Sequence, residues 1–313
     1  MHENVFFRKE VVMTPKKRLN ILLADDGSRH AKAAVELMQD FPESLRGRVL
    51  VLRAFDSGQI SSLFEIERSF DATIGQLAGS GFKVEKELQL SSPAELILKK
   101  SEIKKPDLIV LGAKGLRSTL EILLGGVAQK VVEFANCPVL IVRAPYQGLR
   151  RVLVVTDGSS ASQSAVRYIG KFPLPENADV RVMHVLPPIQ PPIFMEPYMG
   201  GWQTTYVAMA APELDTRMQA RHRKKGAALL KRTSELLQRE GIFATPELVH
   251  GDAATEILDY VKTNHIDLIV AGSRGLSQFK SWMMGSVSRK LVHYAPCSVL
   301  IVKKREKGVK IWK

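Results

Sequence analysis

The residues best placed to do chemistry lie between Leu268 and Val287. An apolar run, Leu268 to Ala271, ends at Gly272, passes Ser273 and Arg274, and turns again at Gly275. Nine residues later comes Gly285-Ser286, at the head of a helical pattern. Glycine lets the main chain approach a ligand closely and adopt positive φ. A helix that begins at Gly285-Ser286 points free N–H groups and the positive end of its dipole into the same space. The Ser286 hydroxyl adds a donor, and Arg274 a positive charge. The combination is the chemistry of an anion site, and two turns after a strand place it where open α/β sheets bind ligands.

A second set of candidates follows a different strand. Asp157-Gly158-Ser159 closes an apolar run at Val152–Thr156, and a carboxylate there can accept from an adenine amine or a ribose hydroxyl, or hold a divalent ion near phosphates. The same triplet also suits a helix N-cap, and the two roles are compatible. His184-Val185 ends another run, and the Val185 backbone is placed to meet a base edge. No P-loop, H-E-x-x-H, C-x-x-C or G-x-S-x-G pattern occurs, and no general base is placed by spacing. Fast hydrolysis therefore has no support in the sequence.

These residues are positioned by a unit that is written twice. Leu19–Ser28 returns in Arg151–Ser160, and Arg48–Phe55 as Asp179–Leu186; Asp157 and His184 each stand 131 residues after their matches Asp26 and Arg53. Lys105–Leu116 returns as His265–Leu276, and the run at Cys137 as the run at Cys297, both offset by 160. The second copy thus carries an insertion of 160 − 131 = 29 residues, near 187–212. The first copy has Gly112, Gly115 and Gly125 at matching spacing, but Gly126 stands in place of Ser286. Asp26 matches Asp157, Ala54 matches Val185, Lys114 matches Arg274, and Arg53 matches His184. No imidazole is shared between the copies.

In each copy short apolar runs alternate with helical patterns. Strands such as VLVV and LIV lack a polar alternate, which predicts a parallel sheet covered on both faces. The expected division is a basic leader at 1–18, a first domain at 19–144 and a second at 150–304. Arg143–Arg150 is the linker, and the two apolar VLIV ends are expected to pair as a pseudo-dimer within one chain. Five prolines before Tyr198 predict an extended segment in the insertion, which is a candidate lid beside the second crevice.

Lys and Arg number 45 against 32 Asp and Glu, a net charge of +13. That favours anionic ligands. The densest basic run, Arg217 to Arg232, has helical spacing and is expected to be a solvated helix face, so nucleic acid is not the expected partner. No apolar run reaches the ~18–20 residues of a membrane helix, and the leader lacks the apolar core of a signal peptide, so the expected location is the cytoplasm. Cys137 and Cys297 sit at equivalent positions and are expected to be two buried thiols without a disulfide.

The strand–Asp157-Gly158-Ser159 element, His184-Val185, the Gly272 to Ser286 motif and CSVLIV together resemble the universal stress protein family, twice over in one chain. The resemblance implies two doubly wound α/β domains of five parallel strands in order 3-2-1-4-5, similar to adenine nucleotide alpha hydrolase-like and Rossmann-like folds. It implies dimerisation through the last strand, which leaves a homodimer open besides the internal pairing. It also implies ATP as ligand; the Asp157 carboxylate, read on its own chemistry, is the candidate for an accompanying Mg²⁺. Asp157 and Val185 would then contact adenine, and Gly272, Gly275, Gly285, Ser286 and Val287 the ribose and phosphates. Asp26, Ala54, Gly112, Gly115, Gly125 and Gly126 would form a degenerate site in the first domain. The function implied is a nucleotide-dependent stress-response switch; the alternatives are a slow ATPase, or a scaffold with vestigial nucleotide sites whose basic face binds a protein or nucleic acid.

Overall fold

A computed structural model describes residues 18–116, 123–188, 194–200, 203–209, 212–275 and 284–303, with backbone alone at 59–61, 194–200, 203–209 and 212–216. The first unit runs β1 (Ile21–Ala24), α1 (Arg29–Gln39), β2 (Arg48–Phe55), α2 (Leu63–Gly79), β3 (Lys83–Leu90), α3 (Pro93–Lys104), β4 (Leu108–Gly112), α4 (Gly126–Phe134) and β5 (Val139–Val142). The second runs β6 (Arg151–Val155), α5 (Ser160–Ile169), β7 (Asp179–Leu186), β8 (Phe194–Gly200), β9 (Gln203–Met209), α6 (Pro212–Arg239), β10 (Ala244–His250), α7 (Ala253–Thr263), β11 (Leu268–Gly272), α8 (Ser286–Tyr294) and β12 (Ser298–Val302).

Ten strands form one sheet, in the order β10-β7-β6-β11-β12-β5-β4-β1-β2-β3. Each unit therefore has the order 3-2-1-4-5, with all its neighbours parallel. The apolar strands β4, β5, β11 and β12 are central and buried on both faces, apart from a half-exposed Gly112 at the end of β4. The outermost strands differ. β3 reads KVEKELQL with exposed Lys and Glu, and β10 carries Pro246, both of which discourage further pairing at an open edge. One apolar cluster lies on each face of the sheet, and each draws residues from both units.

The units join through β5 and β12, which pair antiparallel with Leu140 opposite Leu300. Those two leucines are repeat equivalents, so a pseudo-two-fold axis passes through the seam. Phe41 and Phe172, also equivalents, meet edge-to-face at 5.5 Å across it. Such a pair contributes about 0.5–1.5 kcal/mol beyond its burial. The pairing expected of the VLIV ends is thus the centre of the sheet.

The seam is also tied reciprocally. Arg143, just past β5, donates from Nη2 to the carbonyls of Val292 (2.9 Å) and His293 (3.0 Å) in the last turn of α8. Lys303, just past β12, donates to the Glu133 carbonyl at 2.6 Å in the last turn of α4. Each cation satisfies carbonyls that the other unit's helix leaves open and meets the negative end of its dipole. The linker is pinned as well. Tyr146 donates to the Asp40 carboxylate, and Asp267 accepts from the amides of Arg150 and Arg151 at 3.0 and 2.8 Å.

Some elements differ from the sequence reading. A 3-10 turn at Ser57–Ser62 precedes α2, which starts at Leu63 and not at Ser61. The insertion is extended as expected, but it folds back: β8 pairs β9 antiparallel in a sheet of its own. Pro197 sits in β8, on a two-stranded ribbon where every strand is an edge. The lid expectation turns on the insertion's side chains, which lie outside the described residues, as do the leader through residue 17 and the chain beyond Lys303. Neither Cys137 nor Cys297 is in a disulfide; Cys137 is buried, whereas Cys297 is only partly so. Among the described residues no helix is long and apolar enough to cross a membrane.

Candidate functional site

Both crevices open at the carboxyl ends of the parallel strands. Each starts from a turn that needs glycine: Gly27 and Gly158 have φ of +76° and +80°, where an L side chain is strained. The next residue caps the following helix. Ser28 Oγ accepts from the Ala31 amide at 3.1 Å, and Ser159 Oγ from Ser162 at 3.2 Å. The same hydroxyls reach across to the glycine loop, donating to the carbonyls of Lys114 (3.1 Å) and Arg274 (3.4 Å). Asp26 and Asp157 accept from the cap amides at 3.0 and 2.9 Å. Ser thus caps the helix while Asp braces the turn, and in the first unit Asp26 Oδ2 also accepts from the Leu116 amide of the glycine loop at 3.2 Å.

The three glycines do three different things. A Cβ on Gly112 or Gly272 would stand 2.7 or 2.6 Å from the first turn of α1 or α5, so this position lets the strand end pack on a helix. A Cβ on Gly115 or Gly275 would lie 2.7 or 2.8 Å from Oδ2 of Asp26 or Asp157, so the second glycine makes room for the carboxylate. The third differs again. Gly125 and Gly285 donate to the carbonyls of Ala113 and Ser273, each at 2.8 Å, closing the loop on itself. A Cβ there would meet protein atoms only at ordinary distances of 3.4 Å or more. Among the described residues, then, no neighbour requires glycine at this third position.

This third glycine stands at the start of α4 or α8. Gly125 and Gly285 are their N-caps, and neither has a side-chain cap. The first-turn N–H groups remain for a ligand. Ser286 is exposed and its hydroxyl makes no hydrogen bond among the described residues. Its counterpart Gly126 has nothing within 4 Å of a would-be Cβ. Val287 follows in α8, half-buried, and Val185 lies at the end of β7 opposite Val249.

In the first unit these parts line a cleft of about 830 Å³. Asp26, Gly27 and Ala54 line one part of it, and Lys114, Gly125, Gly126 and Lys130 another. The structure therefore gathers every first-unit candidate: Asp26, Ala54, Gly112, Gly115, Gly125 and Gly126 all line the cleft. In the second unit Asp157 and Gly275 meet, and Gly285 packs on Arg274, while residues 276–283 of the loop lie outside the described residues.

The floors of the two crevices differ, and the sequence reading did not find how. In the first unit Asp25 and Arg53, each 4% exposed, form a buried ion pair. Arg53 also donates to the Ile66 carbonyl (2.9 Å) and Ser69 Oγ (2.6 Å) and lies 4.9 Å over the Phe70 ring. The guanidinium thereby fastens α2 to β1 and β2. In the second unit the matched residues are Thr156 and His184. His184 Nδ1 lies 2.8 Å from the Thr156 carbonyl, and Thr156 Oγ1 donates to Ser162. Packing does the fastening there. A Cβ on Gly226 of α6 would touch Leu248, Leu186 and His184 at 2.9–3.2 Å, and Leu229 packs on Gly158. The signal that could have shown this was the paired change between copies, Asp25 to Thr156 together with Arg53 to His184.

Among the described residues no three His, Cys, Asp or Glu side chains cluster as metal ligands. The single carboxylate at Asp157 is a donor set for Mg²⁺ only in the usual way of nucleotide sites, where phosphates and water supply the remaining ligands.

Comparison with known proteins agrees with this architecture. The model of the universal stress protein family matches twice, at residues 17–143 and 148–303. A universal stress protein of Thermus aquaticus is 38% identical over 135 residues, 39% of this chain and 97% of the relative. Universal stress protein YxiE of Bacillus subtilis is 29% identical over 153 residues, 49% of this chain and 98% of the relative. A universal stress protein structure from Archaeoglobus fulgidus covers 93% of this chain and 98% of its own, with TM-score 0.62 and 20% identity, a likeness of fold. With two copies of the fold, two copies of the glycine loop and two matches to one family, the chain belongs to the universal stress protein family as a tandem pair of its domains.

Proposed function

We propose that the chain is an adenine-nucleotide-binding regulatory protein that binds ATP in the second unit's crevice and switches conformation or partners with it. The observation that carries this is the start of α8. Its N-cap Gly285 has no side-chain cap, a Cβ there would meet only ordinary contacts, and the Ser286 hydroxyl makes no hydrogen bond among the described residues. Those donors suit a polyphosphate. Asp157 and the Val185 backbone are the groups for the adenosine end, and Arg274 adds charge. Mg²⁺ would arrive with the phosphates, with Asp157 as the one protein carboxylate for it. The first unit's cleft has the size of a nucleotide site but lacks the serine hydroxyl, so it is the weaker site. Among the described residues no side chain is placed as a general base, which favours binding over turnover. The test is mass spectrometry of whatever leaves the protein on denaturation, followed by calorimetry with ATP. Protein that carries no nucleotide and shows no heat with ATP at millimolar concentration overturns the reading.

A further inference from the structure

The helix that packs over the second crevice has a second face. Gly226, Leu230, Thr233 and Leu237 of α6 are buried, a spacing of four, three and four that defines the inner stripe. The opposite side carries Arg217, Arg221, Lys224, Lys225, Lys231 and Arg232, all exposed, with Arg223 on the flank. These seven cations make up more than half of the net charge of +13, and no Asp or Glu occurs from residue 216 to 234. A solvated helix face is ordinarily laced with acidic partners at i±3 or i±4. Glu213 stands four residues before Arg217, and Glu235 four after Lys231 and three after Arg232, but among the described residues none of the seven cations makes a hydrogen bond or an ion pair with a side chain. From Arg217 to Arg232 the stripe is about 22 Å long at 1.5 Å per residue.

The charge is not a property of this place in the fold. α2 occupies the equivalent place in the first unit, and its exposed charges are Glu65, Glu67, Arg68 and Asp71. Only α6 has become a cationic rod. Between its charges the exposed residues are small or polar: Gln219, Ala220, Ala227 and Ala228. Nothing there is large and apolar, so the face has no means of inserting into a membrane. Small residues between cations let a rigid, evenly charged surface come close. Along the axis the cations step by no more than about 6 Å from Arg217 to Lys225 and then by about 9 Å to Lys231, a run of positive charge that complements the phosphates of a nucleic-acid strand.

We propose that the outer face of α6 is a docking surface for the phosphodiester backbone of nucleic acid, recognised by charge and without base readout. Four to six phosphates would be neutralised, and counterion release then sets the affinity.

The experiment measures anisotropy of labelled 24-base-pair DNA and RNA duplexes with the full chain, across a salt series. The expected slope of log K against log salt is about −4 to −5 for duplex DNA. Replacing Arg221, Lys224 and Lys225 together by Ala should shallow the slope by roughly 2–3 and weaken binding at least ~10-fold at low salt. A control that replaces Lys32, Lys83 and Lys99, all exposed on the first unit, should leave both nearly unchanged. Circular dichroism and the melting midpoint establish that both variants are folded. Binding to either duplex with this pattern supports the surface, and the ratio between DNA and RNA names the preferred form. No binding by the wild-type chain, an equal loss in the control, or an unchanged slope in the α6 variant overturns it. So does tighter, α6-dependent binding to poly-glutamate or to phosphatidylserine vesicles, which would assign the face to an acidic protein or a membrane.

Discussion

The two crevices share a backbone and differ in what holds the covering helix. In the first, a buried Asp25–Arg53 pair ties α2 to the strand ends. In the second, glycine and leucine on α6 do it by contact, with His184 held by a neighbouring carbonyl. An ionic tie is directional and costly to break from one side; an apolar contact tolerates sliding. One fold thus offers a first crevice whose covering helix is tied by an ion pair and a second whose covering helix is held by apolar contact. The difference at the phosphate end runs the other way, since the second unit keeps the serine that the first lacks.

The largest effect is expected at the ionic floor. Arg53→Leu leaves Asp25 buried without its partner and should cost about 3–5 kcal/mol in denaturant unfolding. The double change Asp25→Thr with Arg53→His installs the second unit's residues and should recover most of that loss. If the single variant is near neutral, the two floors do not differ in kind. Next comes the ligand end. Gly285→Asp places a negative charge where a polyphosphate would sit, and because the protein has room for the Cβ the fold should survive. Calorimetry should then show ATP affinity at the second site falling by ~100-fold or more, about 3 kcal/mol. Gly125→Asp should change total binding less, and the reverse pattern would move the working site to the first unit.

A gain is expected from Gly126→Ser, because nothing lies within 4 Å of the added Cβ. A hydrogen bond to a charged oxygen is worth about 1.5–3 kcal/mol, and water replaces part of it, so the first site should tighten by ~10-fold. An unchanged affinity would mean that the hydroxyl is not what separates the sites. The smallest effect lies at the seam. Burial pushes the Lys303 ammonium down to about 8, with Arg274 nearby adding to the shift. The folded chain therefore loses this proton before the unfolded chain does. Between pH 8 and the ordinary lysine range the unfolded state holds more protons, so stability rises with pH. Allowing for partial exposure, the gain from pH 7.5 to 9.5 is about 1 kcal/mol. Lys303→Met should lack that rise in denaturant midpoint when compared with the wild type.

Much of the fold was legible because the chain states it twice. Runs such as LIVLG and LIVAG, at matching offsets, gave strands, sheet type and the pairing of the VLIV ends. What escaped was long in range or lacked a period. Asp25 and Arg53 stand 28 residues apart, and no local spacing links them. The β8–β9 ribbon hid because prolines indicate extension but not the partner strand. Arg143 looked like the first residue of a linker, since nothing local shows that its guanidinium ends on another unit's helix. For α6 the sequence listed the cations correctly, but whether acids from other elements answer them is a matter of three-dimensional placement.

The seam of β5 and β12 has a consequence for inheritance. In a homodimer built on the same axis, one gene supplies both halves, so every substitution arrives in duplicate and both sites must tolerate it. Here Leu140 and Leu300, facing each other at the axis, are encoded separately. A change such as Arg53 for His184 is made once, on one side, and selection can judge it there. Covalent joining at residues 143–150 thereby releases the halves from evolving in step, while the shared sheet still obliges them to fold together.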